Sequence, residues 1–232
     1  MLILGIDDAG RGPVIGPMIL AGCLADEQIE LEFKKIGVRD SKQVLPARRE
    51  KLAEIIKQKA ITFEITLTHP YEITEKNKLG VNLNTIEAQK AAEIINRINR
   101  QLLEKVGKTE INKIIVYIDC PSPNIPAWQR TLEKYIKNKE NLEIHCEHKA
   151  DVNHVSCSAA SILAKSTREE EVKKIKEKLG VDFGSGYSSD PVTCKFLKEY
   201  ADKHKKDGIF RETWSTWKSV CNVKKQKKLD EF

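Results

Sequence analysis

Two short apolar segments of the sequence each end in aspartate. Residues 2–6 form an apolar run that continues into Asp7 and Asp8, and the apolar run 114–118 continues into Asp119. Runs of this length and composition predict buried strands. If the two strands lie parallel and adjacent, about 4.8 Å apart, Asp7 and Asp119 meet at one edge of the sheet. Because crowded carboxylates in a buried position need a cation, these segments constrain both the fold and the chemistry.

The remaining pattern predicts an α/β fold. A helix is predicted from Asn84, a capping residue with Glu87 three positions later, before the apolar positions Ile94, Ile95 and Ile98. The other predicted elements are strands at 18–24, 62–67 and 142–147 and helices at 127–137, at 155–178 and from Asp190-Pro191 to about 203. Three strands followed by alternating helices and strands predict a mixed five-stranded sheet flanked by helices. We expect a catalytic domain at 1–205 and a small helical extension and tail at 206–232.

Composition excludes several classes of protein. The 40 Lys and Arg residues outnumber the 34 Asp and Glu residues, which gives a net charge of +6 and a mild attraction to polyanions. No apolar run approaches the roughly 20 residues that span a bilayer, and the first strand is too soon charged for a signal peptide. We therefore expect a cytoplasmic protein with no membrane association. The six cysteines are scattered without a Cys-x-x-Cys pair, so the sequence shows neither a zinc site nor a redox motif.

A fourth carboxylate, Asp151, follows the predicted strand 142–147 and precedes the long helix. Each aspartate alone is as readily a turn residue or a helix cap. Together, Asp7, Asp8, Asp119 and Asp151 would form an oxygen-rich cluster that suits Mg²⁺ or Mn²⁺. Successive side chains of a strand point to opposite faces, so Asp7 and Asp8 share a site only if the strand ends or kinks there.

The sequence resembles ribonuclease HII of the archaeal type. The resemblance is carried, in family order, by the segments GIDDAGRGP at 5–13, DSK at 40–42, ID at 118–119, HKAD at 148–151, SAASI at 158–162 with AK at 164–165, GSGY at 184–187, SDP at 189–191 and RETWST at 211–216. The sequence departs from the family at Asp8, where the family has glutamate, and at Ser188, where it has proline.

The resemblance implies a ribonuclease H-like fold and a metal-dependent endoribonuclease. Its substrates would be RNA–DNA hybrids and duplex DNA with embedded ribonucleotides, cut 5′ to the ribonucleotide, in DNA replication and repair. Four acidic ligands, here Asp7, Asp8, Asp119 and Asp151, would hold two Mg²⁺ or Mn²⁺ ions and leave 5′-phosphate and 3′-hydroxyl ends. We expect a monomer.

Substrate contacts are also implied by the resemblance. Gly10, Arg11 and Gly12 would form a backbone surface that senses the ribose 2′-hydroxyl, and glycine permits the close approach. Tyr187 would pack on the sugar beside the cut. Phosphate contacts are expected from Lys42, Lys165 and Arg168. The alternatives are a plain tight turn, a loop tyrosine and solvated basic side chains.

Other functions are weighed against this one. Asp8 favours a relative that keeps the fold and has lost catalysis, because aspartate is one methylene shorter than glutamate. A junction resolvase with a ribonuclease H-like fold fits less well, since the Gly-Arg-Gly and Gly-Tyr segments serve ribose recognition. Ribonuclease HIII also fits less well, because it carries an additional N-terminal domain.

The last seven residues, QKKLDEF, resemble a sliding-clamp-binding peptide. Gln226 is followed by Leu229 and then Phe232 at intervals of three, but such peptides usually end in two aromatics. The alternative is a frayed, charged C-terminus. A sliding clamp is therefore expected as a partner through these three residues.

Overall fold

The computed structural model describes residues 1–38, 44–106 and 113–220, which divide into two compact units. Unit 1 contains residues 1–9, 19–66 and 83–167, and unit 2 contains residues 10–18, 67–82 and those from Arg168 onward. The domain boundary expected between residues 205 and 206 stays a prediction.

Two strands come first along the chain, and one or two helices separate each of the later strands from the one before it. The strands are β1 (Leu2–Ala9), β2 (Met18–Asp26), β3 (Thr62–Thr68), β4 (Ile114–Asp119) and β5 (Leu142–Glu147). The helices are α1 (Glu27–Ile36), α2 (Pro46–Lys59), α3 (Pro70–Lys78), α4 (Leu83–Val106), α5 (Ile125–Glu133), α6 (Ala150–Asn153), α7 (Val155–Leu179) and α8 (Pro191–Tyr200). A 3-10 turn at Lys205–Asp207 and helical residues 215–220 follow.

The five strands form one mixed sheet in the order β3-β2-β1-β4-β5. β1 runs antiparallel to β2 and parallel to β4, and β4 runs parallel to β5. The parallel register between β1 and β4 ends with Ile6 beside Ile118, so the next residues along the two strands are Asp7 and Asp119. The predicted mixed five-stranded sheet flanked by helices is therefore confirmed.

Two glycines in adjacent strands show how helices cover unit 1. A Cβ atom on Gly5 of β1 would lie 2.1 Å from the backbone of Ser156 and Cys157 in α7. A Cβ atom on Gly22 of β2 would lie 2.4 Å from the Ile94 side chain of α4. Gly22 pairs with Ile6, the neighbour of Gly5, and successive residues of a strand face opposite ways. The two helices therefore pack on opposite faces of the sheet.

Unit 2 has its own apolar core. Phe183, Phe196, Phe210 and Trp217 are all buried in it, and Phe210 stacks on Trp217 with ring centroids 4.3 Å apart. The segment after residue 206, which the sequence suggested was an appendage, thus supplies two of these rings. The burial of large aromatic side chains makes this segment part of the core of unit 2.

Three sequence predictions of local structure need correction. β1 continues through Asp7 and Asp8 to Ala9, because its antiparallel pairing with β2 extends three residues beyond its pairing with β4. α4 begins at Leu83, so Asn84 lies inside its first turn. α5 ends at Glu133 instead of 137, because the Asn96 side chain bonds the Tyr135 carbonyl at 2.8 Å and the Lys137 amide at 2.9 Å.

Among the described residues, no helix combines the length and the apolar character that crossing a membrane would require.

Candidate active site

Asp7 and Asp8 lie near the end of β1, and Asp119 is the last residue of β4. Asp7 is 5% exposed, and its pKa is raised well above the ordinary value by burial first, then by the charges of Asp8 and Asp119. A hydrogen bond from Ser161 opposes this shift. A buried carboxyl whose charge is disfavoured by two neighbouring carboxylates is a site of strong negative potential.

Asp151 is held next to Asp119 by the turn that precedes it. The Ala150 amide donates to Asp119 Oδ1 at 3.2 Å, and Asp151 is only 2% exposed. His148 Nδ1 donates to the Cys120 carbonyl at 2.9 Å, which ties the same turn to the residue after β4. Lys149 adopts a left-handed conformation with φ of 61°, so the chain reverses sharply between β5 and α6. The turn thus brings Asp151 close to the end of β4.

The carboxylate oxygens of the four aspartates suit a hard divalent cation, but the side chains do not converge on a single point. Within residues 1–38, 44–106 and 113–220, no three His, Cys, Asp or Glu side chains converge closely enough to hold one ion. Carboxylate oxygens are the ligands that Mg²⁺ and Mn²⁺ prefer, so the chemistry of the four aspartates fits these ions.

A basic side chain lies on the α7 face that reaches Asp7. Lys165 Nζ donates to Ser161 Oγ at 3.1 Å, and Ser161, one helical turn earlier, bonds the Asp7 carboxylate. Sequence reasoning did not give Ser161 a role. Its spacing of four residues from Lys165 was the available signal.

The glycine-rich turn and Tyr187 meet in unit 2. Gly10 has a φ of 81°, and a Cβ atom there would lie 2.5 Å from the Arg168 side chain. A Cβ atom on Gly12 would lie 3.3 Å from the Tyr187 ring, so glycine permits close packing at both positions. The Arg168 guanidinium lies 5.1 Å from the Tyr187 ring centroid and donates to the Ser185 carbonyl at 2.9 Å. Arg168 therefore packs between the turn and the tyrosine.

The loop that carries Tyr187 is fixed by its own hydrogen bonds. The Gly186 carbonyl accepts from the Val14 amide at 2.8 Å, and the Gly186 amide donates to the buried Thr193 hydroxyl at 3.0 Å. Asp190 caps α8, and hydrogen bonds from Ser185 and Val192 lower its pKa to about 2. Ser188 stands where the family has proline, so the ring that would restrict the backbone is missing. The Ser188 carbonyl is held by a hydrogen bond from Cys194 Sγ at 3.2 Å. Tyr187 remains 38% exposed on this anchored loop.

The expected site residues are divided between the two units. Asp7, Asp8, Asp119, Asp151 and Lys165 belong to unit 1, and the Gly-Arg-Gly turn, Arg168 and Tyr187 belong to unit 2. Lys42 and the tail residues Gln226, Leu229 and Phe232 lie outside the described residues.

Comparison with known proteins identifies the family. The family model for ribonuclease HII matches residues 4–217. Ribonuclease HII of Methanocaldococcus jannaschii is 38% identical, with 99% of each chain covered. Ribonuclease H2 of Pyrococcus horikoshii OT3 superimposes with a TM-score of 0.79 at 34% identity, covering 95% of this chain and 97% of the other. Ribonuclease HII in its PCNA complex from Archaeoglobus fulgidus gives a TM-score of 0.76 at 37% identity, covering 93% and 96%. The chain therefore belongs to the ribonuclease HII family, whose members are endonucleases that hydrolyse RNA in RNA–DNA hybrids.

Proposed function

We propose that this enzyme also cuts duplex DNA 5′ to a single embedded ribonucleotide, in the cytoplasm and during DNA replication and repair. The observation that carries the proposal is the packing of Arg168 and Tyr187 against the Gly10 to Gly12 turn in unit 2. A turn without side chains at two of three positions lets a sugar approach the backbone, and an exposed ring beside it offers a flat surface for the sugar.

The proposed catalytic ligands are Asp7, Asp8, Asp119 and Asp151. Two Mg²⁺ or Mn²⁺ ions held by them would supply the activation of water and the stabilisation of the departing 3′ oxygen. Burial and the charges of neighbouring carboxylates raise the pKa of Asp7, and a bound cation would favour its ionised form. Ser161 orients the Asp7 carboxylate, and the Ala150 amide orients that of Asp119. Asp8 keeps the charge of the family's glutamate but reaches one methylene less far.

Substrate positioning is proposed for the remaining residues. Lys165 and Lys42 would contact phosphates, which places a duplex without reading its sequence. Arg168, which packs on Tyr187 and bonds Ser185, would combine a phosphate contact with support of the ring. Tyr187 would lie against the sugar beside the cut, and Gly10, Arg11 and Gly12 would meet the ribose 2′-hydroxyl. The enzyme is proposed to act as a monomer.

The test of this proposal is cleavage of a labelled DNA duplex with one ribonucleotide, compared with a long RNA–DNA hybrid. We expect both to be cut in Mg²⁺ and in Mn²⁺ to give 5′-phosphate and 3′-hydroxyl ends, with the single-ribonucleotide duplex cut on its 5′ side. Excess EDTA should abolish both reactions. Equal cleavage in EDTA would contradict the metal proposal, and an uncut single-ribonucleotide duplex would contradict the proposed substrate.

We further propose that the C-terminal residues Gln226, Leu229 and Phe232 bind a sliding clamp. The related ribonuclease HII of Archaeoglobus fulgidus has been solved as a complex with PCNA, which supports a clamp partner for this chain. A single terminal aromatic buries less apolar area than two, so we expect weaker binding than a peptide with both. Tethering would raise the local concentration of enzyme on newly replicated DNA.

Truncation separates recruitment from catalysis. Calorimetric titration of the host's clamp should detect binding by the full chain and none by a chain ending at Lys225. Cleavage of free duplex should be the same for both, because the proposed catalytic residues lie elsewhere. Equal clamp binding by the two chains would eliminate this role for the tail.

A further inference from the structure

A buried arginine contacts the proposed ribose-sensing turn from inside unit 2. Arg211 is 0% exposed and lies between the core residues Phe210 and Trp217 in sequence. Its guanidinium donates to the Gly10 carbonyl at 2.5 Å and to the Arg11 carbonyl at 2.6 Å. It also donates to the Gly16 carbonyl at 3.0 and 3.1 Å. One side chain therefore bonds two carbonyls of the turn and the Gly16 carbonyl that follows it.

Trp214 completes this contact. Its indole Nε1 donates to the Gly12 carbonyl at 3.1 Å, and its ring centroid lies 5.1 Å from the Arg211 guanidinium carbon. The carbonyls of Gly10, Arg11 and Gly12 thus all accept hydrogen bonds from two side chains only three positions apart. A cation over an indole ring is further stabilised by the ring's electrons.

Fixing these carbonyls also fixes the amides of the turn. In a planar trans peptide the carbonyl oxygen and the N–H of the following residue point in opposite directions. Because the Gly10 and Arg11 carbonyls converge on one guanidinium, the N–H groups of Arg11 and Gly12 point away from it. Two successive N–H groups on one side of a turn can donate to an oxygen acceptor on that side. Pro13, which follows, has no N–H.

The buried charge of Arg211 is matched to the carbonyls of this segment. Burying a guanidinium is costly unless its donors are satisfied, and an apolar side chain in its place would leave these carbonyls without donors. All four hydrogen bonds from the Arg211 guanidinium described above end on carbonyls of residues 10–16. The charge is therefore directed at the turn.

We propose that Arg211 and Trp214 are positioning residues for sugar recognition, aligning the amides of Arg11 and Gly12 toward the ribose 2′-hydroxyl. This inference rests on the proposed substrate role of the turn. It assigns the C-terminal segment a part in telling ribose from deoxyribose, through backbone geometry and without contact between either side chain and the substrate.

The test compares two Trp→Phe variants in the same core. Trp214→Phe keeps a ring over Arg211 but loses the N–H that bonds Gly12, and Trp217→Phe is the matched control that changes a core ring stacked on Phe210. Dissociation constants are measured in Ca²⁺ for a duplex with one ribonucleotide and for the same duplex with deoxyribose there. We expect Trp214→Phe to reduce the preference for ribose about tenfold and Trp217→Phe to leave it unchanged.

Arg211→Lys keeps the charge but not the planar fork, so it should reduce the preference at least as much as Trp214→Phe. Melting temperatures of all variants report their folding. An unchanged preference in Trp214→Phe, or an equal loss in Trp217→Phe, would overturn the inference.

Gly12→Ala separates this inference from the proposed function. If the wild-type protein shows no preference for ribose, or if Gly12→Ala keeps the full preference, the proposed recognition role of the turn fails. If Gly12→Ala removes the preference while Trp214→Phe and Arg211→Lys keep it, the turn reads the sugar and only the positioning role is wrong.

Discussion

Replacing Asp7 by asparagine is expected to lower the rate of RNA hydrolysis on the order of a thousandfold or more, while the metal-free protein becomes more stable. The pKa of Asp7 is raised well above its usual value by burial and by the charges of Asp8 and Asp119. Its ionised form is therefore unfavourable in the folded protein until a cation is bound. Asparagine keeps the shape of the side chain and removes the charge, so folding improves as metal binding is lost.

Both effects are measured on the same samples. The melting temperature of Asp7→Asn in EDTA should exceed that of the wild type by about 2–4 °C, and saturating Mn²⁺ should stabilise the wild type more than the variant. Asp202→Asn, at an exposed position of unit 2, is the matched control and should change neither property. A sharp fall in melting temperature without metal, or a retained rate, would count against a metal site at Asp7.

The placement of Asp7 and Asp119 at one edge of the sheet could be predicted from the sequence, whereas the length of β1 could not. Apolar runs ending in Asp7 and Asp119 predicted adjacent parallel strands, and the observed register brings both to one edge. The first strand was predicted at residues 2–6, but β1 extends to Ala9, because its last three residues pair with β2. Which strand pairs with each edge of β1, and over how many residues, depends on the tertiary structure. A local sequence pattern does not reveal it.

The predicted helix boundaries were accurate only where the local sequence determines them. α7 was predicted at 155–178 and lies at Val155–Leu179, because a long run of small and charged residues without glycine or proline favours a helix locally. The end of α5 depends on Asn96, about 40 residues away along the chain, and no local pattern reveals that contact.

The C-terminal segment was the part of unit 2 least accessible to sequence reasoning. Arg211 and Trp214 were recognised as members of a motif, but a motif gives neither burial nor hydrogen-bond partners. Their partners, Gly10 to Gly16, lie about 200 positions away. Such contacts follow from the assembled fold alone, and they link a segment interpreted as an appendage to the proposed substrate turn.

Gly5→Ala is expected to destabilise the protein by about 3 kcal/mol or more, the largest effect on stability that we predict. The added Cβ atom would lie 2.1 Å from the Ser156 and Cys157 backbone, so the first turn of α7 would have to move away from β1. That turn is anchored, because Ser156 donates to Glu30 at 2.7 and 3.1 Å and Cys157 Sγ donates to the Tyr117 carbonyl at 3.2 Å. Movement of α7 would therefore break these contacts as well.

Gly22→Ala in the adjacent strand is the matched control for this prediction. Its Cβ atom would lie 2.4 Å from the Cγ2 methyl group of Ile94, a side-chain atom, whereas that of Gly5 would meet the backbone of two residues, whose displacement disturbs the hydrogen bonds of α7. Urea unfolding should therefore show a smaller loss for Gly22→Ala than for Gly5→Ala, and equal losses would contradict the role of the α7 backbone. Because α7 also carries Ser161, which bonds Asp7, any Gly5→Ala protein that folds should lose hydrolysis more than Gly22→Ala does.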